Sequence, residues 1–475
     1  MARAVYDTLT VPDEDANYVP YLAESVIPDA TFENWRINLR EGIQFHDGTA
    51  LDATVVRNNL DAWRGVYPGR VALTGSFSFE PIIDVVVVDP LTVDVALNQP
   101  WPALPAHLFN SGRLGIMAQA QLDDPEACDS QLIGTGPFML EDWRVNQSLT
   151  VVRNPNYWYT DPSTGDQLPY LDEIEFRPMP EPSSRLMSFE AEELTAMHTA
   201  SPEQIERISD MAADGSAQVV EADDHTEVQY FMLNTSKPPF DDINARKAFA
   251  HAVDMEEFQQ VVNLGLVETA NGPFAPGEVG FLDDNGFPRH DPEAAAKFAE
   301  AYENDTGEPL SFTISGPADL EVSQMTQFVQ EQLAEVGIET AVVAVDQSAL
   351  IGTALGGDFD AIAWRNHPGG NSDGQYIWWK SDSPTNFGRI DDPEIDLLLE
   401  QGRLATDDAS RVAAYEGVNR RFAEQAYNFW MNWPRWTVAT ATELEGVLGP
   451  DNPDGSAPFA GLATGHPLSA LHLSD

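Results

Sequence analysis

The chain has 475 residues, 43% of them hydrophobic, which is too long for one ordinary domain and rich enough in apolar residues to bury two or three sizeable cores. Its 77 acidic residues against 25 basic ones, only four of them lysines (Lys237, Lys247, Lys297 and Lys380), give a formal charge of −52. Nucleic acid is excluded as a partner, because counterion release needs a basic face. A lone cysteine, Cys128, excludes an internal disulfide, and no run approaches the roughly 18 to 20 apolar residues of a membrane-spanning helix.

The start, Met1 to Asp7, lacks the charged and apolar tracts of a signal peptide and by itself points to the cytoplasm. Asn34 to Leu39 reads as a strand, Phe45-His46-Asp47-Gly48 as a turn, and Asp52 as the cap of a helix running to Trp63. Pro81 to Val88 and Leu91 to Leu97, joined by Asp89-Pro90, form a hairpin pattern. This part is α+β in character. Ser236-Lys237-Pro238-Pro239 marks a boundary. Asp291 caps a helix with Pro292 in its first turn, continuing to Tyr302. Leu310 to Ser315 is a strand, and Leu320 to Val336 an amphipathic helix closed by Gly337. Ile338 to Val345 is a second strand, Gln347 to Leu355 a helix ended by Gly356-Gly357, and Phe359 to Trp364 a third strand. Strands alternating with helices predict a parallel sheet, whose ligands sit beyond the carboxyl ends of its strands. That rule singles out the Gly-, Asn- and Pro-rich loop from Arg365 to Tyr376. The segment after Gly449 reads as irregular, and the chain carries no internal repeat. Acidic residues and scarce lysines run along the whole chain, which fits a surface kept hydrated in high salt better than a local field for cations.

Seven stretches in order resemble the ABC-importer solute-binding proteins of family 5, which carry peptides, nickel and related solutes. They are Val5-Tyr6-Asp7-Thr8-Leu9, Leu39 to Gly48, Ile133-Gly134-Thr135-Gly136-Pro137-Phe138, Arg153 to Trp158, Asn234 through Pro238 to Asp242 and on to Ala248, Ala252-Val253-Asp254, and Asn386 to Arg389 with Asp392 to Asp396. The resemblance implies an α/β, two-lobed periplasmic-binding-protein-like fold of the class II, cluster C type with an extra inserted α+β domain. Lobe one would comprise residues 1–10, 151–234 and 436–475, the inserted domain 11–150, and lobe two 235–435. It further implies a monomer outside the cytoplasmic membrane that closes on a peptide or other small solute and hands it to a membrane permease. No cofactor, no metal and no catalysis are implied. The family carries a signal or lipoprotein segment and a further strand before the Val5 region, so the resemblance also implies a start truncated relative to the family. The loop His367 to Asp373 departs from the Asp-Tyr-Pro-Asp-Pro type of the peptide binders, which leaves peptide, opine, sugar and metal complex open as ligands.

For the site, Asp373 would accept charge-assisted hydrogen bonds from a ligand amine, or else end a turn. Arg365 and Arg389 could each fork onto a carboxylate of the solute or of the chain itself. Trp364, Tyr376, Trp378 and Trp379 would wall the pocket, at least two of them serving as core, and Asn371 lies in the same loop. Trp430, Trp433 and Trp436 read as core or hinge packing. The nine histidines show no i,i+4 pair, and His46 reads as a structural corner rather than a ligand. Gly134-Thr135-Gly136 lacks the Gly-Lys-Ser/Thr of a phosphate loop and reads as a backbone turn. No nucleophile or zinc-protease motif is present. A two-carboxylate glycoside hydrolase is the alternative from another class, and a sensing module without a transporter shares the expected fold.

Overall fold

The computed structural model describes residues 1–72, 75–222, 227–366, 370–462 and 465–474. Local chemistry sets most of the elements. Asp52 accepts from the backbone of Thr54 and Val55 and starts the helix Ala53–Trp63. Asp291 accepts from Ala294 at the head of Pro292–Thr306, and Asp319 accepts from Val322 at the head of Leu320–Glu335. In the latter helix Val322, Met325, Thr326, Val329 and Leu333 recur at three- and four-residue spacing and are the buried face. Gly337, at φ +82°, turns the chain out of it.

The first half of the chain contains a four-stranded antiparallel sheet in the order Ala23–Pro28, Asn34–Leu39, Thr92–Leu97 and Ile82–Asp89. The expected hairpin is its last pair. The helix Ala53–Trp63 covers this sheet, and Trp35, Ile37, Val56, Leu60, Phe79, Val95 and Trp101 fill the space between.

The second half is built on a six-stranded sheet in the order Glu268–Thr269, Asn428–Trp433, Val228–Leu233, Ala361–Asn366, Ser311–Pro317 and Glu339–Val345. The sheet is mixed, which corrects the parallel sheet expected for this part. Only the three strands separated by helices run parallel; Val228–Leu233 pairs antiparallel with both its neighbours. It and Asn428–Trp433 lie about two hundred residues apart in the chain and are buried at every position, and they occupy the sheet's interior. Val228–Leu233, which the expected 234/235 boundary leaves in lobe one, is a strand of this sheet. Likewise the expected 150/151 boundary falls inside a strand, Ser148–Arg153, which pairs with Phe138–Arg144 and Glu173–Phe176 in one small sheet.

The stretches quoted from the first half as a resemblance meet at one place. Asp7 is buried, and its carboxylate accepts from the Thr135 hydroxyl (3.0 Å), Trp158 Nε1 (3.1 Å) and the Tyr157 hydroxyl (3.4 Å). Burial pushes its pKa up to about 6 against these bonds. Gly134 and Gly136 lie flat against the chain at Val5, where a Cβ would stand 2.1 and 2.5 Å from Val5 backbone atoms. His46 Nε2 bonds the Gly136 carbonyl at 3.0 Å, and Gly134 N–H donates to His46 Nδ1 at 3.3 Å. The histidine thus bridges the two glycines within a junction.

Candidate binding cleft

Two chain crossings join the six-stranded sheet to the three-stranded sheet formed by Ala196–Thr199, Thr437–Thr440 and Gln218–Glu221. One runs from Glu221 to Val228 and the other from Trp433 to Thr437. They are tied to each other: Trp436 Nε1 donates to Glu227 Oε2 at 2.7 Å, and Arg435 pairs with Glu221. So thin a connection lets two lobes swing about it, and the space between them is the cleft.

Asp373 stands at the start of the short helical turn Ser372–Gln375, on the lobe that holds the six-stranded sheet. It is 2% exposed. Oδ1 accepts from Arg403 Nε at 2.9 Å and the Tyr415 hydroxyl at 3.3 Å, both from its own lobe. Oδ2 accepts from Arg403 Nη2 at 3.1 Å, Trp101 Nε1 at 2.8 Å and His107 Nε2 at 2.7 Å. Five donors saturate an ionised carboxylate. Burial alone would raise its pKa; the charge of Arg403 and the bond from His107 outweigh burial and hold it well below the usual carboxylate range. The Arg403 guanidinium in turn lies 3.5 Å over the Tyr376 ring and 5.4 Å from the Trp101 ring centre.

The other expected site residues are dispersed. Asn371 accepts from the Asp373 backbone N–H at 3.0 Å and so shapes the turn. Tyr376 is buried, in contact with both Arg403 and the ring of Phe77. Trp379 is core: Gln375 accepts from its indole, and Tyr230, Phe422 and Trp430 surround it. Trp364 is half-buried against Phe387 and donates to Asn366. Arg365 pairs with Glu321, with Glu227 and Asp319 also nearby. Arg389 lies at the opposite end of the sheet from the hinge, donating to the Leu355 carbonyl beside Gly357, so it does not face the cleft. His367, Pro368 and Gly369 lie outside the described residues.

What the sequence did not single out is a basic wall beside the hinge. Arg113 is exposed and, alone among the arginines, has no side-chain hydrogen bond or ion pair among the described residues. Desolvation lowers its pKa, and the charge of Glu227 opposes that shift. Asn110, Ser111 and Gly112 precede it with φ of 42°, 57° and 71°; two non-glycine residues in succession in the left-handed region are held there at a cost of about 1–3 kcal/mol each. Arg185 donates to the Met179 carbonyl, yet its Nε is buried without a partner. His198 stacks on Trp436, with ring centres 4.2 Å apart at 22°. Desolvation, then Arg185, bring its pKa down to about 4. Desolvation and Arg3 bring His466 down to about 3. Both imidazoles are therefore neutral at pH 7, and the arginines carry the positive charge. The signal available in the sequence was the Asn-Ser-Gly-Arg tetrapeptide, a turn presenting a cation.

Among the described residues no group of three or more His, Cys, Asp or Glu could hold a metal ion, and no helix is long and apolar enough to cross a membrane. The chain is 27% identical over 349 residues to the glutathione-binding protein GsiB of Salmonella paratyphi A, a match covering 73% of this chain and 65% of that protein's length. Over 488 residues it is 22% identical to the nickel-binding periplasmic protein of Escherichia coli K12, covering 98% of this chain and 89% of that one. Among solved structures, the periplasmic binding protein DppA of Helicobacter pylori in complex with the peptide STSA superimposes with a TM-score of 0.86 at 19% identity, covering 99% of this chain and 93% of that one. AgaA of A. tumefacien R10 in complex with agropinic acid gives 0.85 at 21% identity, covering 100% and 94%. All four are named as binding proteins, and the glycoside-hydrolase alternative finds no support among them. The family described as bacterial extracellular solute-binding proteins, family 5 Middle, matches residues 17–388, and this chain belongs to it.

Proposed function

We propose that this protein captures a small solute bearing an acidic group between its lobes, outside the cytoplasmic membrane, and delivers it as a monomer to an ABC permease. The observation that carries the reading is Arg113. In a chain with 77 acidic side chains, an arginine without a carboxylate partner beside the hinge is kept free for an anion from outside. Arg185 and Arg3 add positive charge nearby, and the His198–Trp436 pair offers a flat face for the rest of the solute. Relatives fit this class: a peptide carries a terminal carboxylate, and agropinic acid is the ligand of AgaA. The filled carboxylate of Asp373 argues against the amine anchor that the sequence assigned there. Ligand contacts are accordingly given to Arg113, Arg185, His198 and Trp436 rather than to Asp373, Arg389 or Trp379.

The test is a thermal-shift screen of di- and tetrapeptides, glutathione, opine acids, neutral oligosaccharides and nickel–histidine. A binder at 100 times its Kd stabilises by about 2.7 kcal/mol. At least one acidic solute is expected to raise the midpoint, and Arg113→Ala to abolish the rise while leaving the free protein's midpoint unchanged, since the side chain makes no hydrogen bond or ion pair among the described residues. A shift produced only by neutral sugars, or one retained in Arg113→Ala, would sink the assignment.

A further inference from the structure

Asp373 has five donors from two directions. Arg403 and Tyr415 belong to its own lobe. Trp101 and His107 come from the core of the four-stranded-sheet region, which reaches the six-stranded sheet through the chain only by way of the two crossings at the hinge. The bonds from Trp101 and His107 therefore exist only when the lobes are together. The surroundings are complementary as well: Arg403, held flat by Tyr376, presents its face to the Trp101 ring, and Phe77 packs on Tyr376 from the same side as Trp101 and His107. Trp101 and His107 are in turn fixed against each other, with ring centres 4.6 Å apart.

We infer that Trp101 and His107 are positioning residues that latch the closed lobes onto Asp373, so that the position expected to hold a ligand amine regulates closure instead. The inference rests on the two-lobed binding reading but not on the identity or charge of the solute. Chemistry supports a latch over incidental packing. A saturated carboxylate can only accept, so the His107 nitrogen facing it carries a proton, and both cross-cleft bonds are charge-assisted. When the lobes part, Asp373 keeps Arg403 and Tyr415 and is not orphaned. Opening thus exchanges two charge-assisted bonds for water instead of leaving a bare buried charge, and the contact can be made and broken. The two bonds together bias the closed over the open form by about 100-fold or more.

The test uses the full chain without solute. Trp101→Phe/His107→Phe removes both cross-cleft donors, keeps aromatic rings in both places and leaves the Asp373–Arg403 pair intact. Small-angle X-ray scattering reads the radius of gyration, and amide exchange reads protection of residues 371–379. The wild type is expected to be compact. The double variant is expected to be more extended and to lose protection in that turn, with unchanged circular dichroism. His107→Gln, whose amide can donate to Asp373, is expected to stay more compact than His107→Phe, a rescue that a purely structural role for the ring would not give. Trp101→Phe alone carries the same comparison if the double variant does not fold. A wild type that is already extended without solute, or variants as compact and as protected as the wild type, overturns the latch. Because no solute enters the experiment, its failure leaves the Arg113 assignment standing, and failure of that assignment leaves the latch standing.

Discussion

Replacing Asp373 by alanine separates a structural from a ligand-binding role. The side chain is 2% exposed, and its main partner, Arg403, is 3% exposed. Alanine would leave a guanidinium buried with no counter-charge, together with the unmet Tyr415 hydroxyl. Removing one partner of such a pair costs about 3–5 kcal/mol, whereas removing both charges costs much less. In a unit of about 200 residues this lowers the midpoint by on the order of 10 °C. The assay is differential scanning calorimetry of wild type, Asp373→Ala, Arg403→Met and the double variant, all without solute. The double variant is expected to recover at least half of the loss. A midpoint for Asp373→Ala within 2 °C of the wild type, equivalent to about 1 kcal/mol or less, would refute the buried pair. The pH sense follows from the depressed pKa: the contribution is complete above the unfolded carboxylate value and is lost as pH falls below it. A loss of solute binding in Asp373→Ala consequently says nothing about contact with the solute.

Asp7 has the opposite sign. Its pKa is raised to about 6, so the folded state holds the proton more tightly than the unfolded chain, and stability falls as pH rises from about 4 through 6. Asp7→Asn is expected to be more stable than wild type at pH 8 by roughly 2–3 kcal/mol, with little gain at pH 4.5. Urea unfolding at the two pH values checks this, and an equal difference at both would count against it. The net charge of −52 bears on capture of an acidic solute, since repulsion reaches about 30 Å at 0.01 M salt but only about 3 Å at 1 M. Stopped-flow association of whichever acidic solute the thermal screen finds is therefore expected to speed up several-fold with added salt. Slowing with salt would mean that the arginine wall dominates even at long range.

Much of the architecture was legible because its causes are local. Asp52, Asp291 and Asp319 cap their helices through their own side chains, and the alternation of strand and helix from 311 to 366 encodes its own parallel crossovers. The mixed character of the sheet was not legible. It depends on Val228–Leu233 meeting Asn428–Trp433 across about two hundred residues, and neither stretch carries a local mark of direction. The passage between the lobes was not legible for a related reason: the chain leaves one lobe inside a short crossing, and no Pro- or Gly-rich linker marks that point.

The cleft was harder to read because the chemistry of a residue type does not say who its partner is. A loop aspartate with aromatic neighbours looks the same whether it awaits an ammonium or already holds an arginine, and only the arrival of Arg403 from one segment and of Trp101 and His107 from another tells the two apart. The converse holds for arginine. Most arginines in so acidic a chain find a carboxylate, as Arg365 does in Glu321, so an arginine's function is visible only when its partner is missing. Arg113 acquires meaning from what the fold withholds from it, and from the left-handed residues that hold it in place. Asp373 and Arg113 thus exchange the roles expected of a loop carboxylate and a surface cation. On the proposed reading the carboxylate serves the contact between the lobes, and the cation is left for what enters between them.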